Sequence, residues 1–502
     1  MKKFTINTVL KRLLPLILAA VLMQSPAVFA SDSSADDSKN LEYLKSIMDL
    51  LKEQYKGEIT DAGLAQGAIN GMFNSLDPYT TFFTPSEAES FLGNISGSFS
   101  GIGVALELSG DYIVITRVYS GSPAEKAGIL QGDRIVEADG KSLIGKTTDE
   151  AVSLIKGAEG TKVRLGILRT GKQDVRYFDI LRETIKLNPV RYEIRDGIGY
   201  ISLEMFNENA DEFIGKALAE MDKNHISKIV LDLRNNPGGE VGVAVAIARR
   251  FVPAGVITTL DYKSESHKDV VYKSYLEKSK YKLAVLVNGM SASASEILSG
   301  AIQDTAAGSL VGTKTFGKAK FQGILPILTQ AAFEKYEGQL GVKLVDAYEL
   351  AEKYGVSPLD SEISGYAKIT LGLYYTPKGR MIDGTGLTPD YRVDDPALVN
   401  EVDVNSVQKL TGTVKPGLNG QGTDVYNAEK ILKMLGYSVD APDTTLDAKT
   451  FEAIKQFQKN NKFYAYGILD FSTQKALNDA LDKTILQTDK QYAKAVEVLN
   501  KE

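Results

Sequence analysis

The sequence predicts a multidomain α/β protein, and three observations carry that expectation. At 502 residues the chain is longer than one hydrophobic core organises. Its apolar pattern changes along its length from a helical period, to short β-rich runs, to strand alternating with helix. Its 43% apolar content is that of globular domains and argues against large-scale disorder.

The first segment, residues 1–30, joins Lys2, Lys3, Lys11 and Arg12 to an apolar run from Leu13 to Met23, with small residues at Val28 and Ala30. That order reads as a signal peptide cleaved after Ala30, which makes the protein secreted or otherwise extracytoplasmic. The apolar run is short against the roughly 20 residues that span a bilayer, so retention as an anchor is the weaker alternative.

Residues 31–95 read as a small helical domain. Leu41, Leu44, Ile47, Leu50 and Leu51 recur at helical spacing, and Leu76-Asp77-Pro78 ends the pattern. From 96 to 183 the runs are β-rich (Gly103 to Leu106, Tyr112 to Val118, Arg134 to Val136, Val163 to Leu168), interrupted by one helix from Thr148 to Lys156.

Residues 184–397 alternate strands (Ile198 to Leu203, Lys228 to Leu233, Leu283 to Val287) with helices over 210–222, 240–251 and 293–304, the mark of an α/β core with buried strands. Residues 329–365 interrupt that alternation as an insert of unassigned role. Residues 398–420, with Thr-Gly-Thr and Pro-Gly breakers, read as a linker. A helical unit over 421–485 and a tail, 486–502, complete the organisation.

Composition removes several kinds of chemistry. Without cysteine there are no disulfides, thiol nucleophiles, thiolate zinc sites or lipoprotein anchor. The two histidines, His225 and His267, lie in no metal-ligand cluster, so no metal or other cofactor is expected. The formal charge of -6 becomes -10 without residues 1–30, which argues against nucleic acid as a partner.

Three segments carry candidate chemistry. The apolar strand Lys282-Leu-Ala-Val-Leu-Val-Asn288 runs into Gly289-Met-Ser291-Ala-Ser293-Ala-Ser295-Glu296 and then a helical pattern. A serine there stands at a sheet edge with a helix N-terminus behind it, whose free N–H groups suit an oxyanion. The bland reading is that the serines only cap the helix. The second segment is the strand Lys228-Ile-Val-Leu-Asp232 followed by Leu-Arg234-Asn-Asn-Pro-Gly238-Gly239, whose glycines bare backbone N–H groups. The third is Thr315-Phe-Gly-Lys318-Ala-Lys320-Phe-Gln322.

Together these segments resemble the carboxyl-terminal processing proteases, Ser-Lys peptidases with a PDZ domain ahead of an α/β (crotonase-like) core. The resemblance runs from about residue 40 to 395. It implies Ser293 as nucleophile, Lys318 as general base and Gln322 as the residue orienting the lysine. The oxyanion donors it implies are the N–H of Ala294 and of Gly238 or Gly239. Where the family pattern has glycine after the lysine, this sequence has Ala319, and Lys320 adds a second amine.

Elementary chemistry agrees, because a serine needs a base and both histidines sit in polar, surface-like surroundings. A lysine base must be neutral, which means bringing its pKa from about 10.4 towards 7, a cost of roughly 4 to 5 kcal/mol. Phe316 is the candidate apolar neighbour.

Residues 96–183 resemble a PDZ domain. Gly101-Ile102-Gly103-Val104 is similar to its carboxylate-binding loop, and Gly121-Ser-Pro-Ala-Glu-Lys-Ala-Gly128 with Gly132-Asp133 to its bacterial core. Such a loop captures the C-terminus of a peptide while the sheet edge adds that peptide as a strand. Arg169 is similar to the family arginine that couples the PDZ position to the active site. Residues 421–482 resemble a peptidoglycan-binding domain through Leu446-Asp447-Ala-Lys-Thr450, Phe457-Gln458 and Leu469-Asp470-Phe-Ser-Thr473, with Asp447 and Asp470 as helix N-caps.

The implied function is a secreted serine endopeptidase that selects protein substrates through their C-termini and is held at the cell wall. The competing class is an inactive scaffold with the same modules. A homo-oligomer is left open.

Overall fold

A computed structural model describes residues 34–501 apart from 120, 170, 171, 173, 266, 396 and 397. The signal-peptide reading therefore lies outside the described residues. No described helix is long and apolar enough to cross a membrane.

Helices α1 (Ser34–Gln54) and α2 (Asp61–Asn74) open the fold. Leu41, Tyr43, Leu44, Leu50 and Leu51 on α1 are exposed, so its apolar stripe is left uncovered by the described residues. Strand β1 (Thr81–Phe83) then leaves the helical region and pairs with β18 (Ile363–Tyr375), more than 280 residues later. Helix α3 (Pro85–Ser96) starts on a capping box between Thr84 and Glu87. Strand β2 (Ser98–Gly101) leads into the second unit.

That unit is a twisted antiparallel sheet, β3 (Val104–Ser109), β4 (Tyr112–Val118), β5 (Arg134–Ala138), β6 (Lys141–Ser142), β7 (Lys162–Leu168) and β8 (Val175–Leu181). Short helices α4 (Pro123–Lys126) and α5 (Thr148–Ile155) close over it. Ile113, Ile115, Ile135, Leu165 and Ile167 fill its core, and β9 (Glu183–Lys186) returns beside β2.

The third unit has two sheets. The larger runs β10 (Val190–Arg195), β11 (Ile198–Leu203), β12 (Lys228–Asp232), β15 (Lys282–Val287), β16 (Ser309–Gly312) and β19 (Tyr391–Arg392), parallel after the first pair. Helices α6 (Ala210–Lys223), α7 (Val241–Ala248) and α8 (Ala294–Asp304) cover one face through Ile214, Ala217, Val245, Ile247, Leu298 and Ile302. The smaller sheet joins β13 (Gly255–Tyr262), β14 (Val270–Ser274), β17 (Lys320–Leu328) and the long β18 (Ile363–Tyr375) to β1.

Three segments differ from their sequence reading. The insert holds α9 (Gln330–Leu340) and α10 (Ala347–Tyr354), which share a small core with β17 and β18 through Leu328, Tyr336, Leu350 and Ile363. The expected linker is no linker. Val402, Val404, Val407 and Leu410 are buried with α11 (Thr423–Met434), α12 (Ala448–Asn460) and α13 (Phe471–Thr488), because spaced valines bury apolar area even beside Gly and Pro breakers. Asp447 and Asp470 do cap α12 and α13, each 2.7 Å from the N–H three residues on.

The tail is likewise no tail. Helix α14 (Lys490–Lys501) lays Ala495, Val498 and Leu499 on the second face of the large sheet, against Ile198, Val230, Ala284, Leu286 and Val311. A largely parallel sheet needs both faces covered, and here the last helix supplies the second cover.

Candidate active site

The Ser293 turn follows the buried strand β15. Ser293 stands at the N-cap of α8 with φ +56° and ψ −114°, a conformation that costs a non-glycine residue about 1–3 kcal/mol. Its surroundings enforce it. The Ser291 hydroxyl donates to Leu233 O at 2.8 Å, the Ser295 hydroxyl to Asn236 O at 2.9 Å, and the Ser293 N–H to the Glu296 carboxylate at 2.9 Å. Ser291 and Ser295 are fully buried and bonded, whereas Ser293 is half-buried and its hydroxyl makes no capping bond. Of three serines that could merely cap the helix, the middle one does not.

The turn after β12 lies against this serine. A Cβ on Gly238 would sit 2.9 Å from Ser293 Cβ and 3.0 Å from Ala294 N, so only glycine permits the approach. The two glycines differ as donors. Gly238 donates its N–H to Asn236 Oδ1 at 2.9 Å, while the N–H groups of Gly239 and Ala294 have no partner among the described residues. The pair left for an oxyanion is Ala294 with Gly239, and Gly238 is engaged in the turn.

Lys318 lies between β16 and β17, and its Nζ donates to Gln322 Oε1 at 2.9 Å. Gln322 is held in turn by Lys320 O and the Thr370 hydroxyl, both at 3.2 Å. Burial first, and then the positive charge of Lys368, push the Lys318 pKa down to about 8. About a tenth of such lysines are neutral at pH 7, against well under a thousandth of free ones. The apolar wall is not Phe316, which is 52% exposed. It is Tyr79, whose ring centroid lies 4.5 Å from Nζ.

Glu296 ties the two loops together. One oxygen accepts the N–H of Ser293 and of Lys318, both at 2.9 Å; the other accepts the Thr315 hydroxyl at 2.6 Å and Gly317 N–H at 2.8 Å. Burial raises its pKa against these bonds. The Tyr374 hydroxyl adds a second tie, donating to the carbonyls of Ser293 and Lys318.

Sequence reasoning named Ser293, Lys318, Gln322 and Ala294 and missed Glu296, Tyr79, Lys368 and Thr370. Glu296 stood inside the quoted motif, and Tyr79 follows a Leu-Asp-Pro stretch read only as a helix stop. His225 and His267 are exposed, and His267 stacks on Tyr262. No cluster that could hold a metal ion exists among the described residues.

In the second unit, Gly101, Ile102, Gly103 and Val104 form the junction of β2 and β3. With Phe99, Leu106, Val152 and Ile155 they line an apolar cleft between β3 and α5. Arg169 lies inside the same unit, its Nε and Nη2 each 2.7 Å from the Asp133 carboxylate and Nη2 2.9 Å from Gly128 O. Those bonds fix it to its own domain and do not reach the large sheet.

Comparison with known proteins adds the following. Residues 197–393 match peptidase family S41, 114–169 a PDZ domain, 421–477 a peptidoglycan binding domain, and 20–86 the N-terminal domain of the activating protease CtpB. The carboxy-terminal processing protease CtpA of Bacillus subtilis is 32% identical over 490 residues, 97% of this chain and 96% of that protein. This chain belongs to the carboxy-terminal processing proteases of family S41. A "Probable CtpA-like serine protease" of Staphylococcus saprophyticus is 30% identical over 93% of this chain and 89% of its own. Among solved structures, a photosystem II D1 C-terminal processing protease is 26% identical, covering 69% of this chain and 86% of its own, with a TM-score of 0.38. As a processing protease the protein is a serine-type peptidase with a PDZ and a peptidoglycan-binding domain.

Proposed function

We propose that the protein is a secreted Ser-Lys endopeptidase in which Ser293 attacks the scissile carbonyl and neutral Lys318 accepts its proton. The observation that carries this reading is Lys318 itself, an amine held by Gln322, roofed by Tyr79 and brought to a pKa of about 8, on a loop that Glu296 and Tyr374 tie to a strained, uncapped serine. The tetrahedral oxyanion would take the N–H groups of Ala294 and Gly239, the first reinforced by the α8 dipole. Lys318 then returns the proton to the leaving amine, and a water activated by the same lysine hydrolyses the acyl-enzyme. Gln322 orients the amine without exchanging a proton.

Substrates are proteins chosen through their C-termini, which the Gly101 to Val104 loop captures while the substrate pairs with the sheet edge. The unit around α11–α13 holds the enzyme on the cell wall. Its candidate contact surface is the aromatic cleft of Phe463, Tyr464 and Tyr466 with Asp470 and Ser472. A second copy of the protein suits the exposed stripe of α1. The proposed division is a leader (1–30), a helical region (31–95), a PDZ domain (96–183), the protease core (184–397) and a wall-binding domain taking in 398–485, with 486–502 closing the core.

The test is hydrolysis of unfolded casein by the mature protein beside Ser293→Ala. An inactive scaffold predicts no hydrolysis by either. For the wall, a folded fragment of residues 398–488 should co-sediment with purified peptidoglycan, and its staying in the supernatant refutes anchoring.

A further inference from the structure

The wall-binding domain is not appended to the end of the catalytic core but inserted before its last helix. Strand β19 leaves the large sheet at Arg392, the backbone builds α11 to α13, and α14 then returns to cover that sheet. Asp489 is the residue between α13 and α14. It ends the first, as the C-cap whose N–H reaches Ile485 O, and starts the second, as its Oδ1 accepts the Tyr492 N–H at 2.8 Å.

From that junction the Asp489 carboxylate reaches the catalytic loop. Arg234 Nη1 donates to its Oδ1 at 2.9 Å and Nη2 to its Oδ2 at 2.8 Å, a two-pronged pair. The other edge of the guanidinium lies on Asp232, with Nη2 2.6 Å from Oδ2 and Nε 3.0 Å from Oδ1. Gln491 Oε1 accepts from Nη1 at 3.0 Å, and Tyr200 donates to Asp232 Oδ2 at 2.7 Å. The side chains of Arg234, Asp232 and Asp489 are 12%, 7% and 7% exposed, so the cation has little solvent to fall back on. A buried cation that loses one of two carboxylates must move or draw in water.

Arg234 opens the run that ends at the oxyanion donor Gly239. On its far side the run is pinned to the nucleophile turn: Asn235 N–H donates to Asn288 Oδ1 at 3.0 Å, Asn288 Nδ2 to Asn235 Oδ1 at 2.9 Å, and Ala292 N–H to Asn236 O at 3.1 Å. On its near side it is held by Asp232 and by Asp489. We propose that Asp489 is a positioning residue for the oxyanion hole, so that the junction closing the wall-binding domain sets the geometry of the Gly238-Gly239 turn. The inference rests on the proposed roles of Ser293, Ala294 and Gly239.

The experiment uses the full mature protein as wild type, Asp489→Asn, Asp489→Glu and Asn500→Ala. The last removes only the bond from Lys228 Nζ to Asn500 on the same helix and serves as the control for loosened docking. Kinetics on a peptide substrate are read below the melting temperature of every variant, with the affinity of a peptide boronate that forms a tetrahedral adduct on serine. Asp489→Asn should lower kcat about 10- to 100-fold with KM within about twofold, and weaken the boronate by the same factor as kcat/KM. Asp489→Glu should recover part of both, and Asn500→Ala should leave both unchanged.

Hydrogen exchange reports independently of turnover, so it decides the matter even if casein hydrolysis should fail and with it the proposed protease. The hydrogen-bonded amides of Asn235, Asn236, Gly238 and Glu240 should exchange faster in Asp489→Asn and at the wild-type rate in Asn500→Ala. Unchanged exchange over 235–240 in Asp489→Asn overturns the proposal, as does a kcat within twofold of wild type or an equal fall of kcat in Asn500→Ala.

Discussion

The two halves of the proposed catalytic site are built in different ways. The nucleophile half is nearly continuous in sequence: β15, the turn at Ser293 and the first turn of α8 supply the serine, the Ala294 donor and Glu296 within ten residues of the strand's end. The base half is assembled from three distant stretches, with Lys318 and Gln322 on β17 and the loop before it, Lys368 and Thr370 on β18, and Tyr79 ahead of β1. Local backbone strain prepares the serine, and long-range burial prepares the lysine. Replacing Ser293 or Lys318 itself should therefore fail abruptly, whereas changes to the distant groups that bury the lysine should fail by degrees.

The largest effect belongs to the proposed nucleophile. Ser293→Ala should lower the casein cleavage rate by a factor on the order of 10,000 or more. Ser291→Ala and Ser295→Ala should act through stability, about 1–3 kcal/mol on the melting curve, with residual activity: the first removes the donor to Leu233 O and the acceptor of the Asn288 N–H, the second the one described bond of its hydroxyl, to Asn236 O. Full activity in Ser293→Ala removes the assignment.

Lys318→Arg comes next. The guanidinium keeps charge and bulk but does not deprotonate near neutrality, so a folded variant should be inactive to within the assay background. In the wild type, kcat/KM should rise with pH through an apparent pKa of about 8, and replacing both His225 and His267 by Gln should leave the rate within a few-fold. A loss in the double His variant as large as that of Ser293→Ala would show a histidine at work.

This contrast also marks what the sequence could disclose. Ser293, Ala294 and the Pro-Gly-Gly turn were legible because a strand-to-helix serine and bare glycine N–H groups are local signals. Glu296 was within view, but its role needs Lys318 N–H, Gly317 N–H and the Thr315 hydroxyl brought to it by β16, which no spacing announces. Tyr79 was out of reach, since its partner lies some 240 residues on and the sequence offered the nearer aromatic, Phe316, which instead faces solvent. The valines at 402, 404 and 407 lost to breaker residues in the sequence reading because their partners, α11 to α13, come later.

A smaller effect tests the graded behaviour of the base half. Burial is the largest cause of the low Lys318 pKa, and the Tyr79 ring is part of that cover. Tyr79→Ala should admit water and move the acid limb of kcat/KM upward by about one unit, costing roughly tenfold at pH 7 and little above pH 9. Tyr79→Phe should keep the wild-type profile. A uniform loss at all pH values in Tyr79→Ala would mean that the ring positions the loop rather than excluding water.

The smallest effect comes from the glycine turn that packs against the nucleophile half, and it separates stability from catalysis. Glu240 follows Gly239, and burial first, then the charge of Glu208, push its pKa up to about 7 from an ordinary 4.5. An acid whose folded pKa is raised favours the fold while protonated. That contribution is complete below about pH 4.5 and is lost as pH rises through 7. With solvent screening allowed for, it amounts to about 2 kcal/mol. Glu240→Gln should therefore melt close to wild type at pH 4.5 and a few degrees higher at pH 8, flattening the decline between. The acid limb near pH 8 should stay in the Glu240→Gln activity profile, because it belongs to Lys318. If that limb moved with Glu240 while the melting curves coincided, the titration assigned to the lysine would belong to the loop of the oxyanion hole, and the division between a strained serine and a desolvated base would have to be redrawn.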